Sequence, residues 1–361
     1  MTTAQRVAAP EARAARRPTR WLLALAALVA LAFVLDVALG PVRIPLPVVV
    51  RLLLGRAGGA DGATAFIVNQ IRLPKALTAM AVGSGLAVSG LQMQTLFRNP
   101  LAGPSVLGLT AGAGLGVALV MLAGGSAAGG LTGRQLGLGG SWALVLAATA
   151  GAALVMGLVL ALAARVRDNV VLLIVGLMIA SMTGAVVSLW QYFSAPAQLQ
   201  EYLLWTFGAL GGVTGAHLAV LAAAVGAGLL LAFASAKPLN ALLLGENYAR
   251  SMGLNVRRSR TGIIASTSLL AGAITAFCGP IGFVGIAVPH LTRALLGTAD
   301  HRVLLPGSCL VGAALVLGCD CLAQLPGSQT PLPINVITSL LGAPVVLWVV
   351  LRGRNIRSSF A

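Results

Sequence analysis

Few residues in this chain have side chains that could do chemistry, and they are scattered. The 361 residues include three histidines, four cysteines and eight acidic residues. His290 has no acid or second histidine at ligand spacing, so we expect a hydrogen-bonded structural histidine rather than a metal ligand or proton relay. Cys319 and Cys321 are two apart, on different faces of a helix, and no Cys-x-x-Cys pair occurs. The sequence therefore predicts no metal and no cofactor, and it indicates that the cysteines are small core residues.

Motifs that supply energy or catalysis are missing from the sequence. There is no Gly-x-x-x-x-Gly-Lys-Ser/Thr loop to cradle the phosphates of ATP, no His-Glu-x-x-His, no Gly-x-Ser-x-Gly and no paired carboxylates. Ion-coupled carriers place acids near the bilayer midplane, at a cost of about 2.5 to 3.5 kcal/mol each. Asp36 and Asp320 instead lie toward the outer ends of their predicted spans. These observations predict that the chain is not an enzyme and that its energy comes from another protein, although a self-sufficient ion-coupled secondary transporter and a membrane scaffold remain alternatives.

Long apolar segments carry these residues. The chain is 58% hydrophobic and 9% charged, with a mean hydropathy of +0.95, which a soluble domain could not accommodate. A span needs about 20 apolar residues, and the tenth segment found, 283–298, is short and interrupted by glycine and proline. The sequence predicts an all-α, polytopic membrane protein whose ten transmembrane helices are 21–40, 73–97, 104–123, 141–164, 169–193, 215–235, 260–281, 283–298, 303–324 and 334–352.

The distribution of charge sets the predicted orientation. The net charge of +16 suggests nucleic acid at first sight, but the cations lie in loops at the ends of spans, which indicates the positive-inside rule instead. Ten crossings place both termini and most of the 24 basic residues in the cytoplasm. We expect a basic tail at 1–20, a single transmembrane domain at 21–353 and a second tail at 354–361. Residues 1–35 could pass for a signal peptide, but the long apolar run without a convincing cleavage site favours an uncleaved first span.

Two polar segments on the predicted cytoplasmic side divide the apolar runs. In the first, Asn99 precedes Pro100 and Pro104 suits the first turn of a helix, which predicts a tight elbow between two spans. In the second, 238–256, Gly245 and Gly253 divide the chain into two short amphipathic helices. Such helices suit a groove on a partner. The basic cluster Arg257, Arg258 and Arg260 supports the alternative, a surface helix on lipid headgroups.

These segments also carry a family resemblance that extends over nearly the whole chain. It rests on Arg72-x-Pro-Lys75, on Gln92 and Gln94 with Arg98-Asn99-Pro100-Leu101-Ala102, on Leu-Gly-Glu-x-x-Ala-x-x-Met-Gly-Leu-Asn-Val at 244–256, and on Gly-Pro-Ile-Gly-Phe-Val-Gly-Ile-Ala-Val-Pro-His at 279–290. The sequence resembles the FecCD-type permease subunits of ABC importers for iron-siderophores, haem and cobalamin.

The resemblance implies a fold, partners and roles for particular residues. It implies the permease fold of the vitamin B12 and iron-chelate importers in the bacterial cytoplasmic membrane, as a homodimer with two cytoplasmic ATPase subunits and an extracytoplasmic substrate-binding protein. Nucleic acid is not an expected partner, whereas membrane lipid is. The implied sites are a cytoplasmic gate at Asn99, Leu101, Asp168 and Asn169, ATPase docking at Leu244, Gly245, Glu246, Ala249, Met252, Gly253 and Leu254, binding-protein docking at Arg72 and Lys75, and a pathway lined or abutted by Gly282, Gly285, Pro289 and Trp205.

Three of these positions have a second interpretation, and a fourth position departs from the family pattern. Asp168 and Asn169 could simply cap a helix, and Trp205 could be an interfacial aromatic anchor. Where the family often has an arginine four residues after the aspartate, this chain has Gln324 after Asp320. The third cationic contact to a binding protein is therefore in doubt.

Overall fold

The computed structural model describes residues 3–55, 62–122, 140–166, 169–324 and 332–352, and its elements are helices. A π-helical turn, Ile67–Arg72, leads into α4, and a 3₁₀ turn, Pro104–Leu107, precedes α5. The α-helices are α1 (Thr3–Ala38), α2 (Leu46–Leu53), α3 (Gly62–Phe66), α4 (Leu73–Leu96), α5 (Leu109–Met121), α6 (Gly140–Arg165), α7 (Asn169–Phe193), α8 (Pro196–Thr206), α9 (Ala216–Ala234), α10 (Ala236–Leu243), α11 (Glu246–Ser251), α12 (Val256–Cys278), α13 (Val284–Leu296), α14 (His301–Ala323) and α15 (Ile334–Arg352).

The predicted membrane-spanning pattern agrees with these helices. Seven helical segments in the described residues are long and apolar enough to cross a membrane, and three shorter apolar helices lie at Leu109–Met121, Val284–Leu296 and Ile334–Trp348. Together they account for the ten predicted segments. Most ends differ by only a few residues, because glycine, proline and polar residues break the helices where the apolar runs break. The chain is an all-α, multi-pass membrane protein.

Helix α4 is the central helix of the bundle. It packs against α14, α12, α13 and α9, and its second half is buried on every side. Gly83 lies directly against the backbone of Gly312 on α14, and Gly90 lies against the backbone of Gly285 on α13, so a Cβ at either position would overlap a backbone oxygen. Glycine allows these helices to approach at backbone distance, as in packed transmembrane helices generally.

Helices α5 and α6 pack in the same way, as the Gly112-x-x-x-Gly116 spacing predicts. A Cβ on Gly112 would lie 2.6 Å from the carbonyl oxygen of Gly151, and one on Gly116 would overlap the carbonyl of Ala147. The start of this span differs from the prediction. The helix does not run continuously from Pro104, because Gly108 adopts a left-handed conformation (φ 77°) between the 3₁₀ turn and α5.

Candidate functional site

The elbow after α4 is held by its own backbone and by one amide side chain. Arg98 adopts a positive φ of 49°, which turns the chain out of the helix. Asn99 Oδ1 accepts a hydrogen bond from the Leu101 N–H at 2.9 Å, while the Leu101 side chain is exposed. His290 Nε2 donates to the carbonyl oxygen of Pro100 at 2.8 Å, so the histidine is a hydrogen-bonded structural residue, as expected, and it ties α13 to the elbow. The predicted gate residues Asn99 and Leu101 therefore lie on a short, anchored turn.

The second predicted gate segment is the turn between α6 and α7. Helix α6 ends at Arg165 and α7 begins at Asn169. Asp168 lies outside the described residues. The last described residue before the gap is Val166, whose backbone N–H donates to the carbonyl oxygen of Leu162.

The predicted docking segment forms two short helices, α10 and α11, separated as expected by glycine. Gly245 and Gly253 have φ values of 104° and 83°, which L side chains rarely adopt. Helix α11 runs from Glu246 to Ser251. Ala249 is fully buried, whereas Glu246 is partly exposed and Leu254 partly buried.

An exposed apolar row crosses this segment. Leu244, Tyr248 and Met252 follow one another at four-residue spacing, and they are 61%, 54% and 52% exposed. Leu239 and Leu242 of α10 are buried and fasten the segment to the bundle. The segment thus presents apolar side chains outward from an anchored base.

Arg260 of α12 joins the docking segment to the α6–α7 turn. Its side chain is only 4% exposed. One guanidinium nitrogen donates to Glu246 Oε1 at 2.8 Å and the other to the carbonyl oxygen of Val166 at 2.9 Å. The lipid-headgroup alternative for the basic cluster is therefore wrong for this residue, whereas Arg257 and Arg258 are exposed.

A second polar cluster joins α10 to α14 and α4. Asn240 donates to Asp300 Oδ1 at 2.6 Å, and its own Oδ1 lies 2.8 Å from both the backbone nitrogen and the Nδ1 of His301. His301 Nε2 lies 2.8 Å from Thr95 Oγ1 on the last turn of α4. Because an amide oxygen only accepts, Nδ1 carries the proton and Nε2 of the neutral ring is an acceptor. The Thr95 hydroxyl that faces it also donates to the carbonyl oxygen of Leu91 at 2.9 Å.

Asp300 is the partly exposed end of this cluster and caps α14. Burial by itself would raise the pKa of its carboxyl group, but hydrogen bonds from the Arg302 N–H and the Asn240 amide lower it below the ordinary 3.8. Sequence reasoning did not find this cluster. Nothing in the sequence indicates that Asn240 faces Asp300 and His301.

The predicted pathway residues lie around the start of α13. The Gly282 N–H donates to Asn335 Oδ1 at 3.0 Å, and Gly285 packs against Pro104 and the carbonyl of Leu86. Pro289 is buried within α13. Gly285 packs against other helices of the bundle and Pro289 is buried, and the pathway role of these residues stays a prediction.

Trp205 lies at the end of α8 beside Tyr202, with ring centroids 5.9 Å apart and the ring planes tilted by 33°. Its indole also lies close to Gly114 of α5. Three residues later, Gly208 turns with a φ of 73° beneath the carbonyls of Cys278 and Pro280. Trp205 is partly buried, so both the pathway role and the interfacial-anchor role remain predictions.

The two cations predicted to dock a binding protein make contacts within the chain. Arg72 is 5% exposed and donates to the carbonyl oxygens of Val37, Ala38 and Val42, which close the loop after α1. Lys75 Nζ lies 2.9 Å from Asp320 Oδ1. In this conformation both side chains stabilise the outer end of the bundle, and their docking role stays a prediction.

Gln324 completes this outer cluster. Its Nε2 donates to Asp320 Oδ2 at 2.9 Å and to Asp36 Oδ1 at 3.3 Å. The sequence shows no paired carboxylates, but the fold brings Asp36 of α1 and Asp320 of α14 to one amide. At this position the chain therefore has a neutral side chain that donates to two acids.

Comparison with known proteins gives consistent matches over nearly the full chain. The vitamin B12 import system permease protein BtuC of Shigella boydii is 37% identical over 340 residues, which cover 94% of this chain and 97% of that protein. BtuC of Klebsiella pneumoniae is also 37% identical, over 94% of this chain and 96% of its own. A solved ABC transporter, assigned to the metal-chelate type and described in an inward-facing conformation, superposes with a TM-score of 0.79 at 28% identity, covering 92% of this chain and 98% of that one. A model of the FecCD transport family matches residues 28–352, and the chain belongs to that family.

Proposed function

We propose that two copies of this chain form the membrane pathway of an ATP-driven importer for cobalamin or an iron chelate, such as a siderophore complex or haem. The chain itself is the multi-pass permease subunit of an ABC importer and a transport subunit rather than an enzyme. In the proposed assembly two ATPase subunits bind the cytoplasmic face and a substrate-binding protein delivers the ligand from outside. Both termini lie in the cytoplasm.

The observation that carries this proposal is the exposed apolar row Leu244, Tyr248 and Met252. Apolar side chains at this spacing, on short helices fastened by buried leucines, fit a groove on another protein. The positive-inside distribution of charge puts the same segment in the cytoplasm, where an ATPase would be found. Movement of the ATPase pair would push α10 and α11 and so rearrange the gate segments around Asn99 and Asp168.

The docking proposal is tested by Met252→Glu in the complex purified from membranes. A carboxylate placed in an apolar contact loses its hydration, so we expect loss of the ATPase subunit or of substrate-stimulated ATP hydrolysis while the protein still inserts. Asn247→Glu is the matched control, because it adds the same charge to an exposed, polar position of α11. Normal transport by Met252→Glu would refute the docking assignment.

The substrate is tested separately from the energy source. Proteoliposomes that contain the complete importer are supplied with labelled cobalamin, haem or a ferric siderophore, each with its binding protein, and uptake is measured with and without ATP. We expect uptake of one of these ligands only with ATP. Uptake by this chain alone, driven by an ion gradient, would establish the secondary-transporter alternative instead.

Arg72 and Lys75 could contact a binding protein only if their contacts within the chain allow it. Lys75 keeps a side-chain exposure of 16% while it pairs with Asp320, so it can contact an acidic partner only by sharing or leaving that pair. Affinity for the binding protein should therefore fall with ionic strength. A salt-independent affinity would contradict a charged contact.

A further inference from the structure

We infer that α2 (Leu46–Leu53) is an interfacial helix that lies on the bilayer surface, and that Arg43 and Arg51 bind the phosphate groups of anionic phospholipids beside it. The partner is a lipid surface, and the ligand is a headgroup with a net negative charge. This contact lies at the end of the bundle opposite the docking helices, since α14 starts beside α10 and ends beside Asp36 of α1.

The position of α2 is fixed at the end of a membrane span. Its eight residues are about 12 Å long, too short to cross a hydrocarbon core of about 30 Å. Helix α1 ends at Ala38, and the Arg72 guanidinium donates to the carbonyl oxygens of Val37, Ala38 and Val42. The connection from α1 is therefore held close to the bundle, and α2 follows it directly.

Two apolar faces run along α2. Val49 and Leu52 are buried and belong to the core of the bundle, so they anchor the helix on one side. Leu46, Val50 and Leu54 are exposed and follow one another at four-residue spacing, which places them along a second edge. The helix is thus attached to the protein by one face and leaves a second apolar face that no described part of the chain covers.

The neighbouring surface of α1 indicates what covers this second face. Thr19–Ala38 is long and apolar enough to cross a membrane. Leu28, Leu31 and Leu35 are exposed along it, and most residues between them are exposed as well, so uncovered apolar side chains occupy more than one side of the helix. A second protein would cover one side of such a helix, whereas lipid surrounds it. The apolar edge of α2 begins where this surface ends along the chain, which favours lipid there too.

The charges beside α2 are complementary to anionic headgroups. Arg43 precedes the helix and Arg51 lies within it, and both are exposed. The ion pairs among the described residues are formed by other cations, and the sequence has no acid between Asp36 and Asp61. The Arg51 side chain leaves the helix about 100° from that of Val50. An apolar edge flanked by arginine is the pattern of a helix in the headgroup layer, and a guanidinium can bind phosphate through two hydrogen bonds.

The depth of α2 is tested on the full chain in nanodiscs. The fluorophore NBD is attached at Val50→Cys or, as the matched control, at Arg51→Cys, and the unsubstituted chain labelled in the same way gives the background from the native cysteines. Dithionite destroys NBD that is exposed to water, and lipids with a nitroxide on the acyl chain quench NBD that contacts lipid. We expect the Val50→Cys label to be protected from dithionite and quenched by the lipid, and the Arg51→Cys label to be destroyed rapidly.

The headgroup is tested by the same Val50→Cys label. Quenching by nitroxide-labelled phosphatidylglycerol is compared with quenching by nitroxide-labelled phosphatidylcholine at equal mole fraction, and we expect the anionic lipid to quench more strongly. Adding Arg51→Gln should lower the preference for the anionic lipid about fivefold, the loss expected for one arginine at a charged surface. Arg258→Gln removes the same charge from an exposed position at the opposite end of the bundle, so it should leave the preference unchanged.

Three results would overturn the inference. Equal rates of dithionite reaction at the two labelled positions would mean that α2 stands in water. Protection of the Val50→Cys label without quenching by lipid would mean that protein, such as a second copy of the chain, covers this face. Equal quenching by the two lipids would exclude an anionic headgroup site. If Val50→Cys does not insert, Leu54→Cys on the same edge takes its place in each measurement.

Discussion

The contact between α4 and α14 at Gly83 and Gly312 allows a test of how the bundle is held together. We consider Gly312→Ala. A Cβ there would lie 2.7 Å from the Cβ of Ala87 and 2.8 Å from the carbonyl carbon of Gly83, and it would overlap the Gly83 oxygen. Carbon atoms in contact are normally about 3.5 to 4.0 Å apart. The two helices must therefore separate by about 1 Å along the most extensive contact of the central helix.

The expected cost is the usual cost of overpacking, about 1 to 3 kcal/mol. Alanine recovers at most about 1 kcal/mol through its better helix propensity, so the variant should be destabilised. Gly318→Ala is the matched control, because Gly318 is on the same helix and a Cβ there would meet no atom within 4 Å. This control should be neutral or slightly stabilised.

The assay is thermal unfolding of the detergent-purified chain, followed by loss of the monodisperse peak in size-exclusion chromatography. Gly312→Ala should unfold several degrees below wild type, at about 2 to 4 °C per kcal/mol for a chain of a few hundred residues. If Gly312→Ala is as stable as Gly318→Ala, the helices are not packed at backbone distance and the argument from glycine is refuted.

Three further predictions concern polar contacts. Lys75→Met leaves the Asp320 carboxylate without its cation and should lower the unfolding free energy by about 3 kcal/mol. Adding Asp320→Leu to this variant should restore most of that free energy. A double-mutant cycle by thermal unfolding measures the coupling between the two residues, and additive effects would contradict the ion pair. Asn335→Leu removes the acceptor of the Gly282 N–H and should cost about 1 to 3 kcal/mol in the same assay, while an unchanged unfolding temperature would show that water replaces it. The lowered pKa of Asp300 means that its ionised carboxylate stabilises the folded chain at pH values above the ordinary pKa of 3.8. Wild type should therefore be more stable than Asp300→Asn at neutral pH, and the difference in stability should disappear as the pH falls through the lower pKa of the folded state. A difference that persists in acid would exclude ionisation as its cause.

The sequence predicts the helices of this protein better than it predicts their side-chain contacts. The spans at 141–164, 169–193 and 215–235 lie within two residues of α6, α7 and α9 at both ends. Hydropathy and helix-breaking residues are local properties of the chain, so the sequence is enough to locate these spans. The same holds for the predicted docking helices α10 and α11, because Gly245 and Gly253 permit the positive φ at which the chain leaves a helix.

Side-chain partners were not predictable in this way. Lys75 and Asp320 are 245 positions apart in number yet 2.9 Å apart in space, and Arg260 belongs by sequence to an exposed basic cluster. Whether such a cation meets lipid, a partner or a buried carboxylate depends on which helix faces are turned toward each other.

The sequence by itself determined that the chain is helical, crosses the membrane repeatedly and has breaks at fixed places, because apolar length and backbone restriction are local properties. Only the tertiary structure decided that Arg72 closes a loop, that Gln324 joins Asp36 to Asp320, and that Asn240 reaches His301. Those contacts depend on close approach of distant helices, and small residues such as Gly83 and Gly312 permit that approach without revealing, in sequence, which helix will be the neighbour.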